Sequence, residues 1–210
     1  MFLPKQFRET DTGILHDLIA ENPFAILVGQ RDGAPFASHI PFVLDPAAGP
    51  HGTLHAHVAR NNPHGDLFDG ETVMLAIFQG PHAYVSPRWY GPGNAVPTWN
   101  YAVVHAYGTA REVTDIDTVR ARQNTLVTAF EGNGPDAWSM AGEPEKYIEG
   151  MLRGVTAFEM PIDRLEGKFK LSQNRPPEDR ENVARQLARS ERVVERDVAA
   201  LMQQRATRGA

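Results

Sequence analysis

The densest run of chemically useful side chains is Leu54-His55-Ala56-His57-Val58-Ala59-Arg60-Asn61-Asn62-Pro63-His64. If residues 53–58 are extended, alternate side chains share a face, which sets His55 and His57 side by side. Arg60 and two asparagines follow where the strand opens into a turn. A guanidinium fork, an imidazole, amides and free backbone N–H groups at such a junction are the parts of a phosphate-monoester receptor. No GxxxxGK[ST] run occurs anywhere, so the receptor is not a P-loop. A metal reading competes, since His51, His55, His57 and His64 lie close together, but only Asp66 and Asp69 are near enough to support it. A third reading keeps these histidines as ordinary core and surface residues.

Three further segments stand out. Ser38-His39-Ile40-Pro41-Phe42 pairs a hydroxyl with an imidazole, yet strand neighbours face opposite ways and no GxSxG elbow exists. A strand whose backbone lines a ring-binding pocket suits it better than a hydrolase nucleophile. Gly167-Lys168-Phe169-Lys170-Leu171-Ser172-Gln173-Asn174-Arg175 is compact and basic, either a plain loop or a segment offering Lys170, Gln173 and Arg175 to an anion or a partner subunit. Finally, Tyr84, Trp89, Tyr90, Trp99 and Tyr101 crowd around Gly91-Pro92-Gly93-Asn94. Aromatics beside a tight turn wall a pocket or an interface, or clamp a long hairpin as a small core.

The elements that must carry these segments follow from periodicity. Ile14, Leu15, Leu18 and Ile19 give one buried helical face over residues 10–20, ended by Asn22-Pro23. Residues 24–28 and 35–44 read as strands joined at Asp32-Gly33, a hairpin signal. Further strands are expected over 53–58, 72–79, 84–89, 99–113 and 155–162, and a short helical turn over 63–68. Helices are expected over 116–130, with Asp115 or Asp117 as cap, over 144–152, and over 177–204. Short strands without β-α-β alternation predict a mainly antiparallel barrel or sheet with flanking helices, an α+β fold. The expected organisation is a domain over residues 1–170 and a C-terminal loop and helical appendage over 171–210.

Composition narrows the function classes. The 210 residues contain no cysteine, which excludes disulfides, thiolate catalysis and cysteine-ligated metals. The formal net charge is −5, which gives no support to non-specific nucleic-acid binding. Arg180, Arg185, Arg189, Arg192 and Arg196 are interleaved with Glu178, Asp179, Glu181, Glu191, Glu195 and Asp197, the pattern of helix support rather than a phosphate track. With no signal-peptide pattern and no long apolar run, a soluble cytoplasmic protein is expected.

Taken in order, the segments resemble the PaiB family, whose members are described as FMN-binding negative transcriptional regulators. The resemblance rests on Ser38 to Phe42, His57 to Pro63, Ile77-Phe78-Gln79-Gly80-Pro81-His82-Ala83-Tyr84-Val85-Ser86-Pro87, Trp89-Tyr90, Val96 to Tyr101, and Gly167 to Arg175. It implies a split β-barrel similar to pyridoxamine-phosphate oxidase, a homodimer, and FMN as cofactor at the interface. In that arrangement His57, Arg60 and Asn62, with Val58 and Ala59 between them, would hold the phosphate. The flavin ring would rest on backbone at Ser38, His39, Ile40 and Pro41, and Trp99, Asn100, Gln173 and Arg175 would close the pocket, some from the partner subunit. The regulatory role comes from the resemblance alone. The alternative is a flavin oxidoreductase acting on a small molecule, for which no catalytic residue is identified.

Overall fold

The computed structural model describes residues 1–93 and 95–208, so Asn94 of the expected turn lies outside the described residues. A two-residue strand β1 (Arg8–Glu9) leads into α1 (Thr12–Glu21), where Asp11 Oδ1 accepts the Ile14 N–H at 3.2 Å. Leu15, Leu18 and Ile19 are buried as their spacing predicts. β2 (Phe24–Arg31) and β3 (Ala34–Pro41) then form a hairpin with Ile26 opposite His39 and Leu27 opposite Ser38. Its turn residues Asp32 and Gly33 both have positive φ, 52° and 78°, which is why Asp-Gly closes it.

Next come β4 (Val43–Asp45), β5 (Thr53–Ala59), β6 (Asp69–Val85) and β7 (Thr98–Val113). After them lie α2 (Ile116–Glu131), α3 (Glu145–Arg153) and β8 (Val155–Lys170), and the chain finishes with α4 (Pro177–Ala188) and α5 (Val193–Arg208). The strands make one sheet in the order β3-β2-β6-β7-β8-β5-β4, with β1 also pairing β8. The β1–β8, β2–β3, β2–β6, β4–β5 and β5–β8 pairings are antiparallel. This is the mainly antiparallel sheet with flanking helices that the alternation predicts. Among the described residues β3 has a ladder partner on one side only.

Four elements depart from the sequence expectation. The strand expected over 35–44 is two, β3 and β4, which part at Phe42 and pair with β2 and β5 respectively. The segment at 72–79 runs on to Val85 as one strand, β6, because Gly80-Pro81 is accommodated within it, and the rest of the expected strand 84–89 is a 3-10 turn, Pro87–Trp89, capped by Ser86. A Cβ at residue 80 would lie 3.3 Å from the Ala102 carbonyl oxygen, so the glycine serves close packing rather than a turn. β8 runs on through Lys168-Phe169-Lys170, where Phe169 is buried and Arg8 pairs with Lys168. The C-terminal helix is two helices. Ser190 breaks it, its Oγ accepting from Arg192 N at 3.1 Å and donating to Glu195 Oε2 at 2.6 Å.

The chain forms two compact units, residues 19–78 with 105–165, and residues 1–18, 79–104 and 166–210. The core of the first is aromatic: Phe42 meets Phe78 and Phe158 edge-on at 5.5 and 6.2 Å, and Phe68 stacks on Phe158 at 4.2 Å. A smaller cluster of Val119, Met140, Ile148 and Leu152 fixes α2 and α3. Asp115 caps α2, accepting from Thr118 N at 2.9 Å. In the second unit α4 packs against α5, burying Val183, Leu187 and Val198. Among the described residues no helix is long and apolar enough to cross a membrane.

Candidate functional site

The strand-to-turn junction after β5 is built by Asn62. With Pro63 supplying the first helical position, Asn62 caps the turn Pro63–Leu67, its Oδ1 accepting from His64 N at 2.9 Å. The other end of its amide donates to Ser38 Oγ on β3 at 3.1 Å. Ser38 Oγ in turn lies 2.9 Å from His64 Nδ1. Three residues from two separate segments therefore form one polar cluster, with Phe36 4.5 Å from the imidazole, centroid to centroid.

His64 is fully buried, and burial pushes its pKa below the ordinary imidazole value of 6.5, opposed by a backbone contact at Phe36. The lowered pKa favours the neutral ring, and Nε2 meets no hydrogen-bond geometry with any group among the described residues. His57 Nδ1 is also buried without a partner, and burial lowers that pKa as well. Buried polar atoms left unpaired are rare and mark places where something else belongs.

His55 and His57 share the strand face expected of them but serve different surroundings. Neither His55 ring nitrogen has a partner among the described residues, nor does Arg122 Nε. Both residues line a void of about 20 Å³, large enough for one water. Burial first, then the Arg122 charge, lowers the His55 pKa. Among the described residues no group of three or more His, Asp or Glu is placed to hold a metal ion.

Arg60 is engaged. Its Nη1 donates to Glu112 Oε1 at 2.9 Å and its Nε to the Arg153 carbonyl at 3.4 Å. The pair is partly exposed, at 54% and 35% of the side-chain surface, so solvent weakens it and an anion can compete for it. Val58 points into the core and offers only backbone, whereas Ala59 is exposed. On β3, His39 and Ala37 are exposed, Ser38 and Pro41 half-buried, and Ile40 buried.

Trp99, Asn100, Gln173 and Arg175 fall in the other compact unit, and the structure shows what each touches there. Trp99 is half exposed, with Tyr84 edge-on at 6.0 Å and His82 at 6.3 Å. Asn100 is fully buried and exchanges hydrogen bonds with Ser172: its Nδ2 donates at 2.9 Å and its Oδ1 accepts at 3.2 Å. Gln173 folds onto its own chain, accepting from Leu171 N at 2.6 Å and donating to Phe169 O at 2.5 Å. The Arg175 guanidinium lies 4.4 Å over the Tyr90 ring. Lys170 is likewise spent, donating to Thr98 Oγ1 and, at 2.7 Å, to Trp99 O.

Residue spacing points to Asn62 as a site residue, whereas His64 enters only as a possible metal ligand. The sequence signal for His64 is Asn-Pro-His, an N-cap whose turn carries the third residue inward.

A family model described as "Putative FMN-binding domain" matches residues 1–164. The protease synthase and sporulation protein PAI 2 of Bacillus subtilis (strain 168) is 33% identical over 205 residues, covering 97% of each chain. Among solved structures, the FAD and heme binding protein from Mycobacterium smegmatis superposes with a TM-score of 0.60 at 19% identity, over 78% of this chain and 73% of that one. The flavocytochrome Anf3 from Azotobacter vinelandii gives a TM-score of 0.61 at 12% identity, over 78% and 69%. At those identities the likeness is one of fold.

Proposed function

Because this chain belongs to the PaiB family of FMN-binding domains, we propose that it binds FMN along β3 and the β5 turn and acts, so loaded, as a regulatory protein. The observation that carries the reading is the Ser38–Asn62–His64 cluster on a strand with one open edge. An unpaired strand edge presents N–H and C=O groups in a row, suited to the donor and acceptor edge of a flavin ring. The cluster fixes Ser38 and the following backbone through Pro41 for that purpose. The buried nitrogens of His57 and His64 that lack partners fit a polar group arriving at this end of the sheet.

Asn62, Arg60 and His57 are assigned to the phosphate end. Burial favours the neutral form of His57, which suits it to a hydrogen bond there rather than to supplying charge, and Arg60 must exchange its carboxylate partner for the phosphate. When bound, FMN supplies the redox chemistry, and the protein supplies orientation and shelter from water. Trp99, Gln173 and Arg175 remain assigned to closing the flavin site from a second copy of the chain, with Asn100 fixing the strand on which Trp99 sits. That assignment rests on the family pattern.

The regulatory role is assigned to contacts with other proteins or ligands rather than to DNA. Several arginines of the C-terminal segment are committed within the chain. Arg192 pairs with Glu195 at 3.2 Å, and Arg196 donates to the carbonyls of Ser190 and Glu191.

The test is titration of the purified protein with FMN, followed by quenching of flavin fluorescence. Saturable quenching with a low-micromolar or tighter constant, and weaker binding of riboflavin, is expected. A flat titration, or equal affinity for the two flavins, overturns the phosphate-reading flavin site.

A further inference from the structure

A cavity of about 360 Å³ opens between β1, α4 and α5, within a single compact unit. That volume lies in the range of small-molecule pockets. Its floor is apolar: Leu171, Ala184 and Met202 line it and are only 4%, 7% and 7% exposed.

Its charged wall joins the N-terminal strand to the two C-terminal helices, with Arg8, Arg180 and Arg205 all lining the same space. Arg205 is committed, donating to Glu9 Oε2 with its guanidinium 4.7 Å over the Phe169 ring. The guanidinium groups of Arg8 and Arg180 have no hydrogen bond or ion pair among the described residues. Asp179, the acid next to Arg180 in sequence, accepts from Gly91 N at 2.7 Å and does not line the cavity. Gln173 contributes shape rather than donors, because its amide is held by its own backbone.

Arg8 and Arg180 face a single lining carboxylate, Glu181, so this wall keeps a net positive charge that an anion placed between the two guanidiniums neutralises. The planar fork of arginine favours a carboxylate. Glu181, the one carboxylate lining the cavity, disfavours a doubly charged phosphate. We propose that this cavity is a second ligand site, for a monocarboxylate with an apolar body such as a medium-chain fatty acid. The carboxylate meets Arg8 and Arg180, and the chain covers Leu171, Ala184 and Met202. An occupant so placed ties the N-terminal strand to both C-terminal helices; of the residues assigned to FMN only Gln173 of the closing set borders the cavity, and none of β3 or β5 does.

The experiment is calorimetric titration of the full chain with decanoate, below its micelle concentration, beside decanol and FMN. Saturable one-to-one binding of decanoate is expected, with decanol much weaker. Exchanging both cations, Arg8→Gln with Arg180→Gln, should weaken decanoate on the order of tenfold. The thermal melt and the FMN titration of that variant should stay unchanged. Absence of decanoate binding overturns the proposal, as does equal binding of decanol or an unaffected double variant. Competitive displacement of decanoate by FMN would also overturn it, by making the cavity part of the flavin site.

Discussion

Ser38 Oγ and His64 Nδ1 lie 2.9 Å apart across 26 residues of sequence, joining the edge strand β3 to the turn after β5. Asn62 donates to the same oxygen, so one hydroxyl serves two partners. Removing it strands a buried imidazole nitrogen and an amide proton together. Ser38→Ala is expected to cost about 1–3 kcal/mol of stability, the usual penalty for leaving buried polar groups unpaired. A urea midpoint that does not move would show the contact to be incidental.

The buried histidines give stability a definite pH dependence. The His55, His57 and His64 pKa values all lie below 6.5 in the folded protein, with burial the largest cause in each. Below that value the unfolded chain takes up protons that the folded chain resists, so stability is complete above it and is lost as the pH falls. His55→Gln should flatten this loss between about pH 7.5 and about pH 5.5. Urea titrations of wild type and variant at both ends measure it. An identical slope in the two proteins would mean that His55 takes up its proton as readily in the fold as in the unfolded chain.

Asn100 and Ser172 present a second buried exchange, closed by two hydrogen bonds between β7 and the residue that follows Leu171. Ser172 sits at a φ of 65°, a conformation that side chains other than glycine seldom adopt. The Asn100 amide is what holds it there. Asn100→Ala should lower stability by about 1–3 kcal/mol. It should also loosen the Gln173–Arg175 segment, seen as faster amide exchange there than in β5.

How much of this could be read in advance depended on whether a signal was local. Asp32-Gly33, the Asp115 cap and the Leu15–Ile19 stripe act within a few residues, and each stands in the structure where the pattern placed it. The continuity of β6 across Gly80-Pro81 depends on Ala102, far along the chain, and no window of sequence contains both. The same holds for charge. Lys170 and Arg175 looked available as cations, yet Lys170 is consumed by Thr98 and Trp99, and Arg175 lies on Tyr90. Arg180 reads as part of a mixed-charge helix face, and it shares a cavity with Arg8 only because β1, α4 and α5 converge.

The phosphate assignment makes its sharpest statement at Arg60 and Glu112. Their 2.9 Å pair is exposed enough to exchange, but while Glu112 is ionised it both occupies the guanidinium and repels an incoming phosphate. Glu112→Gln removes the charge and keeps the shape. FMN binding should tighten, by as much as about tenfold, equivalent to roughly 1.4 kcal/mol. Riboflavin, lacking the phosphate, should bind as before. Arg60→Ala should act in the opposite direction, weakening FMN until it approaches riboflavin. Fluorescence titration of both flavins against the three proteins decides the matter. If Glu112→Gln shifts FMN and riboflavin equally, the residue acts through the fold, and the phosphate must be placed elsewhere than Arg60.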